Sequence, residues 1–135
     1  GALLGDEGSA FWIGREALKD PQLRRLWPAD MAIRVGRGEN PIRATAALAK
    51  TVLARAAHGD KAAVALRRRA ARELAALVQE AAKGLATPVP LSLHGSLFKD
   101  EALRREMLAD LGRRFSLVAA TLAPEDAAAT VAGHS

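Results

Sequence analysis

Two long helical segments in the middle of the chain constrain its fold most. Asn40 and Pro41 predict a helix start, because asparagine caps the first free N–H groups and proline loses no hydrogen bond at the first helical position. His58 and Gly59 end that helix, and Asp60 caps a longer one, expected over residues 61 to 83. Both segments carry apolar residues at helical spacing. The apolar side of the longer segment is formed by Ala63, Leu66, Ala70, Leu74, Leu77, Val78 and Ala81.

The composition agrees with closely packed helices. The chain of 135 residues is one domain in size and holds 31 alanines but only five aromatic residues. It contains no cysteine, which excludes disulfides, zinc–thiolate sites and iron–sulfur clusters ligated by its own cysteines.

The remaining segments add shorter helices and two strands. A first helix is expected from Asp6 to near Asp20, with short helices over residues 22 to 26 and 30 to 35. After residue 84, we expect a strand over residues 90 to 94, a helix capped by Asp100, a strand over 115 to 122 and a last helix over 124 to 131. Strand, helix and strand in this order predict a βαβ unit.

We therefore predict an α/β, predominantly helical fold in a single domain, residues 1 to 135. Its helical part covers about residues 6 to 86, and its strand-helix-strand part covers about 88 to 132. Two strands make a poor sheet on their own, so the pair is expected to need neighbours from outside the chain. This suggests that the chain is a piece of a larger protein.

Charge and hydropathy narrow the function classes. Net charge is +5, and 15 of the 20 basic residues are arginine, which leaves nucleic-acid binding open. The arginines are scattered and lack interleaved aromatics for base stacking, so solvated helix faces explain them better. No apolar stretch is long enough to span a membrane and the start lacks a signal-peptide pattern, so a cytoplasmic protein is expected. The histidines, His58, His94 and His134, lack metal-ligand spacing, and no metal site is predicted.

The opening stretch GALLGDEGSAFWIG carries the most specific chemistry. Asp6 lies between Gly5 and Gly8, where the backbone can approach a ligand closely. A carboxylate accepts two or more hydrogen bonds, which suits the paired hydroxyls of a sugar. The alternative is that Asp6 only caps the first helix.

This stretch resembles the G-x-x-x-G-D-E-G-S-[AG]-x-W-[IL]-[GA] segment of the N-acetylglucosamine kinase and BadF/BadG/BcrA/BcrD ATPase family. Three later segments also resemble the family in order: the paired helices joined at Gly59-Asp60, the segment PVPLSLHGSLFKDEALRREMLADL, and LAPEDAAATVAG. The similarity covers nearly the whole chain, and the GDEGS block is its most specific part.

The resemblance implies the second lobe of an actin-like, ribonuclease H-like ATPase fold, with the N-terminal ATPase lobe absent from the chain. It implies an ATP-dependent amino-sugar kinase acting on N-acetylglucosamine or glucosamine. Asp6 and Gly1 would contact the sugar, while Ala46, Gly95 and Ser96 would lie at the nucleotide. ATP and Mg²⁺ would be bound mainly through the other lobe, and whether the parent protein forms a homodimer stays open.

The chain also departs from the family pattern. It has no glycine-rich phosphate loop and no aspartate in the position of the general base, so no catalytic residue is assigned and the isolated piece is expected to be inactive. His94, Gly95 and Ser96 offer one glycine where the family often has a pair. Alternatives are an activating ATPase of dehydratases, which would need cysteines from elsewhere, a basic helical nucleic-acid-binding or regulatory module, and a non-catalytic interaction domain.

Overall fold

The computed structural model describes residues 2–5, 7–118 and 129–130. The chain forms two compact units, one of Gly1–Glu7 with Ala71–Ser135 and the other of Gly8–Ala70. Helices predominate and the strands form one parallel sheet, so the α/β, predominantly helical fold class is confirmed. From the sequence, the boundary between the helical part and the strand-helix-strand part was expected near residues 86 to 88. In the structure the boundary lies at residues 70 and 71, so the second half of the longest helix belongs to the unit that contains the strands.

The first unit is built on a four-stranded parallel sheet. Its strands are β1 (Ala2–Gly5), β2 (Val89–His94), β3 (Phe115–Leu117) and β4 (Ala129–Thr130), in the order β3-β2-β1-β4. β1 occupies an inner position, paired with β2 on one side and β4 on the other. The expectation that the strand pair needs neighbours from outside the chain is therefore wrong, because β1 and β4 supply them.

The predicted βαβ unit is confirmed. Helix α6 (Glu101–Leu111) connects β2 to β3, and Val89 pairs with Phe115 in parallel register. Asp100 caps α6 as expected, since its carboxylate accepts a hydrogen bond from the Leu103 backbone N–H at 2.9 Å. β3 ends at Leu117, earlier than the predicted residue 122, and Val118 still donates its N–H to the Leu91 carbonyl at 2.9 Å.

Beyond β3, the last predicted helix falls mostly outside the described residues. At Ala129 and Thr130 the helix prediction is wrong, because these two residues form β4. The buried apolar residues of this unit come from β2, α6, the short 3-10 helix Ser96–Lys99 and the end of α5 (Lys61–Ala81). They include Leu74, Val78, Val89, Leu91, Leu93, Leu97, Phe98, Leu103, Met107 and Leu111.

The second unit is helical. It comprises most of α1 (Glu7–Lys19), α2 (Pro21–Arg24), α3 (Met31–Arg37), α4 (Pro41–Ala57) and the first half of α5. Its buried apolar residues are Ile13, Ala17, Leu23, Leu48, Ala49, Val52, Leu53, Ala56, Ala63, Leu66 and Ala70. α3 carries no buried residue, and its Ile33 is 56 % exposed.

The predicted helix ends of this unit are confirmed. The Asn40 side chain accepts a hydrogen bond from the Arg43 N–H at 3.0 Å, and the Asp60 carboxylate accepts one from the Ala63 N–H at 3.0 Å. Gly59 lies between α4 and Asp60 with φ +90°. Of the predicted apolar side of α5, Leu77 and Ala81 are only half-buried, and the others are buried.

No helix in the described part of the chain is long and apolar enough to cross a membrane.

Candidate functional site

The carboxyl ends of β1 and β2 meet at one edge of the sheet. β1 ends at Gly5 and β2 at His94, and these two residues are register partners. β3 runs parallel to β2 in the same direction, but its last residue, Leu117, pairs with Leu91 and so lies three residues before the end of β2. In open parallel sheets, ligands bind outside the carboxyl ends of the strands, so this edge is the candidate site.

Gly95 makes the turn that leaves this edge. Its backbone has φ 110° and ψ 162°, a region that is essentially restricted to glycine. The turn leads into the 3-10 helix Ser96–Lys99, and both Gly95 and Ser96 are exposed to solvent. A backbone of this kind needs glycine and leaves Gly95 and Ser96 available to a ligand.

A cavity of about 600 Å³ opens beside the turn. Its lining consists of Leu93, His94, Gly95, Ser96, Phe98, Lys99, Arg104, Leu117 and Val118. The volume lies within the range of small-molecule sites. Two cationic side chains and no carboxylate face it among the described residues, so the cavity favours an anionic group.

The polar groups of the cavity have few protein partners. Arg104 is half-buried and donates from Nη1 to the Phe98 carbonyl oxygen at 3.0 Å. Nε2 of His94 is buried and has no hydrogen-bond partner among the described residues. An unpaired buried polar atom is costly, which makes this nitrogen a candidate ligand contact.

The residues predicted for the nucleotide side fall into different units. Gly95 and Ser96 line the cavity of the first unit. Ala46 lies on α4 of the second unit, where it is half-buried, next to Thr45, which is buried.

The residues predicted for the sugar side, Asp6 and Gly1, lie outside the described residues. Asp6 follows Gly5 directly in the chain, and consecutive Cα atoms are about 3.8 Å apart. The backbone of the GDEGS block is thus connected to the strand end that pairs with His94.

Sequence reasoning missed Lys99 and Arg104. The available signal was their spacing around Asp100: one basic residue precedes the helix cap and another lies in the first turn of α6, directly after a glycine turn.

The described cavity residues fit the phosphate part of ATP better than they fit Mg²⁺. Lys99 and Arg104 offer positive charge to phosphate oxygens, whereas magnesium prefers carboxylate oxygens and water. No group of three or more His, Cys, Asp or Glu residues lies together in the described part of the chain.

A separate polar cluster holds α1 and α5 together within the second unit. The Glu16 carboxylate, with a side chain only 16 % exposed, contacts Arg69 Nη2 at 3.0 Å and Lys19 Nζ at 3.3 Å. The Arg69 guanidinium also lies over the Trp12 ring, 5.4 Å from its centroid. Arg69 on α5 therefore pairs with Glu16 on α1.

The pKa of Glu16 reflects two opposing effects. Burial alone would raise the pKa of this carboxyl, but hydrogen bonds and attraction from Arg69 and Lys19 outweigh burial and hold it below the ordinary value of 4.5. The carboxylate is therefore charged at neutral pH. With the tryptophan ring as a second partner of Arg69, the cluster has a structural role.

A shallow basic concavity lies on α4 of the same unit. It is lined by Lys50, Thr51, Ala54, Arg55 and His58, and no carboxylate is among these residues. Lys50, Arg55 and His58 are exposed, so this surface can attract anions in solution.

Comparisons with known proteins add no relative of this chain. No family model matches it, and neither a curated protein nor a solved structure is found to be similar.

Proposed function

We propose that this chain supplies sugar and nucleotide contacts to a cytoplasmic, ATP-dependent amino-sugar kinase that phosphorylates N-acetylglucosamine or glucosamine. One observation carries the proposal: Gly5 of the GDEGS block is the register partner of His94, which directly precedes the Gly95-Ser96 turn. The strand that precedes Asp6 and the strand that precedes the turn expected at the nucleotide thus end at the same edge of one parallel sheet.

The proposed roles come from the resemblance to the kinase family, and the chemistry of each residue is compatible with them. Asp6 accepts hydrogen bonds from sugar hydroxyls, with Gly1 close to the same ligand, and the charged carboxylate makes these bonds strong. Gly95 lets the backbone approach the nucleotide, and the Ser96 hydroxyl donates to it. Ala46 on α4 offers a short side chain to the adenine.

Phosphoryl transfer needs further groups that this chain does not offer in its sequence. The proposal assigns the phosphate loop, the general base and most Mg²⁺ contacts to another lobe. ATP supplies the transferred phosphoryl group, and Mg²⁺ neutralises charge on its phosphates. The role of the present residues is to bind and orient the two substrates, which is a large part of catalysis for this reaction.

The test is product formation. The protein that joins this chain to the lobe with the phosphate loop is incubated with ATP, Mg²⁺ and N-acetylglucosamine or glucosamine, and sugar phosphate is measured by mass spectrometry. We expect sugar phosphate that depends on ATP. ATP hydrolysis that no amino sugar stimulates, with no sugar phosphate formed, would overturn the proposal.

A second candidate function, binding of nucleic acid, is favoured by the charge of the helical unit. Residues 8 to 70 contain 13 Lys and Arg but only five Asp and Glu. The exposed residues Arg43, Lys50 and Arg55 all lie on α4, which carries no acidic residue. Contacts to phosphates would make the affinity fall steeply with salt, and a filter-binding titration at increasing KCl measures that slope. Flat, weak binding would exclude this function.

A further inference from the structure

We propose that Arg104, Lys99 and His94 form a binding site for a phosphate-bearing anion in the cavity beside the Gly95 turn. These three residues add to the predicted nucleotide contacts Gly95 and Ser96, which line the same cavity. Under the proposed function the anion is a phosphate of the nucleotide, and to that extent the inference rests on that function.

The charge of the cavity points to an anion. Lys99 and Arg104 contribute two positive charges, and the described lining contains no Asp or Glu. Lys99 is exposed, and no salt bridge or hydrogen bond of its side chain to a described residue is present. Its ammonium group can therefore bind a ligand without breaking an ion pair to any residue that the structure describes.

Arg104 is positioned for this role by its own helix and by the turn. Its Nη1 donates to the Phe98 carbonyl oxygen at 3.0 Å, which fixes one side of the guanidinium against the 3-10 helix. A guanidinium has five N–H donors, so several remain for an anion. Arginine offers these donors in a planar fork that matches two phosphate oxygens.

His94 lines the cavity and has one ring nitrogen without a described hydrogen-bond partner. Its Nε2 is buried without a partner in the described part of the chain, and the residue ends β2, where the sheet edge opens. A neutral imidazole can carry its proton on Nε2 and donate it to a phosphate oxygen. A ligand oxygen at this position would satisfy an atom that is otherwise costly to bury.

The exposed Ser96 hydroxyl and the size of the cavity limit the ligand class. Ser96 adds a neutral donor at the mouth. About 600 Å³ is more than one phosphate group needs and admits a small phosphorylated molecule. Leu93, Phe98 and Leu117 form an apolar part of the lining, which suits the remainder of such a molecule.

The experiment measures binding of three probes to the full chain by isothermal titration calorimetry. Pyrophosphate tests the anion alone, ADP tests the nucleotide, and adenosine lacks the phosphates. We expect ADP and pyrophosphate to bind, and adenosine to bind at least about tenfold more weakly than ADP, since charged hydrogen bonds contribute most of the affinity. Equal affinities for adenosine and ADP would overturn the inference.

Variants identify the residues. Arg104→Gln and Lys99→Gln should each weaken pyrophosphate binding about tenfold, and His94→Leu should weaken it without lowering the thermal midpoint of unfolding. Arg105→Gln is the matched control, because Arg105 is the next residue on α6, is exposed and does not line the cavity. If Arg104→Gln fails to fold, Lys99→Gln carries the test, because Lys99 is exposed and has no described partner. If Lys99→Gln binds pyrophosphate as tightly as Arg105→Gln does, the proposed site is wrong.

The two proposals fail in different ways. Pyrophosphate binding that depends on Lys99 and Arg104, together with no sugar phosphate in the kinase assay, would leave the anion site standing and remove the kinase function. If sugar phosphate forms but ADP binds equally well to the wild type, Lys99→Gln and Arg104→Gln, the kinase function stands and the anion site is removed.

Discussion

The backbone of Gly14 in α1 lies directly against the carbonyl group of Thr45 in α4. A Cβ atom at position 14 would overlap the Thr45 carbonyl oxygen and lie 2.8 Å from its carbonyl carbon. Neither atom can move without moving the α4 backbone. The close approach of these two helices within the second unit therefore requires glycine at position 14.

We predict that Gly14→Ala destabilises the protein by about 3 kcal/mol, at the upper end of overpacking costs, because backbone has to yield. Chemical denaturation measures the change. Gly36→Ala is the matched control: position 36 is also helical and a Cβ there meets nothing within 4 Å. This control should be neutral or stabilise by up to about 1 kcal/mol. Equal effects of the two variants would contradict the close helix contact.

The Glu16 cluster predicts a pH-dependent stability. Because the pKa of Glu16 is lower in the folded than in the unfolded protein, its contribution is present above the ordinary value of 4.5 and is lost as pH falls through the folded pKa. Glu16→Gln should cost about 0.5 kcal/mol at pH 7, since Arg69 is half-exposed, and the cost should be smaller at pH 3. Urea denaturation at both pH values measures it.

A double-mutant cycle tests whether the stabilisation by Glu16 comes from its ion pair with Arg69. In an Arg69→Gln background, the effect of Glu16→Gln at pH 7 should be smaller than in the wild type. A Glu16→Gln effect that is the same at pH 3 and pH 7 would show that the carboxylate charge does not stabilise the fold.

Asp100 is predicted to stabilise the helix beside the cavity. Its carboxylate accepts from the Leu103 N–H at 2.9 Å, so Asp100→Ala should lower the free energy of unfolding by about 1 kcal/mol. Asp30→Ala is the comparison, because Asp30 precedes α3 without a side-chain capping bond and only pairs with exposed Arg34. That variant should cost less than about 0.5 kcal/mol. The prediction is wrong if thermal or urea unfolding ranks the two in the opposite order.

Gly95 is predicted to affect ligand binding as well as stability. Gly95→Ala forces a side chain into a backbone region costing about 2 kcal/mol, and it changes the turn that lines the cavity. Gly112→Ala introduces similar strain at φ 72° and ψ −159°, at a residue that does not line the cavity. Both variants should lose stability in urea, but only Gly95→Ala should lose affinity for ADP in titration calorimetry. Equal losses of affinity would place the ligand elsewhere.

Helices and their ends followed from the sequence because their determinants are local. Asn40, Asp60 and Asp100 each accept a hydrogen bond from an N–H group at the start of the next helix, as the capping pattern predicted. The βαβ unit also followed, since the apolar run before His94 and the helix after Asp100 are separated by a glycine turn.

Strand β1 was not predicted from the sequence, because four residues are too few to show the alternation of apolar and polar residues that indicates a strand. Its pairing with β2 connects residues that are far apart in sequence, and no local pattern records such a contact. For the same reason the sequence did not indicate the ion pair between Glu16 and Arg69, which lie 53 residues apart in the chain.

Only the turn of the candidate site, Gly95 and Ser96, was predicted from the sequence, and the charged side chains that line the cavity were not. Gly95 and Ser96 were expected at a nucleotide because of the resemblance to the kinase family. The positive charge of the cavity depends on how the 3-10 helix and α6 place Lys99 and Arg104 beside β2 and β3, which is a tertiary property.

The Michaelis constant for the sugar in the Asp6→Ala variant tests the central claim most directly. It is measured for N-acetylglucosamine in the protein that joins this chain to the phosphate-loop lobe, with Glu39→Ala as a control that removes an exposed loop carboxylate. We predict that Asp6→Ala raises KM or lowers kcat/KM at least about tenfold, since it removes charged hydrogen bonds to the sugar, while Glu39→Ala has little effect. Sugar kinetics that are unchanged in Asp6→Ala would contradict the account.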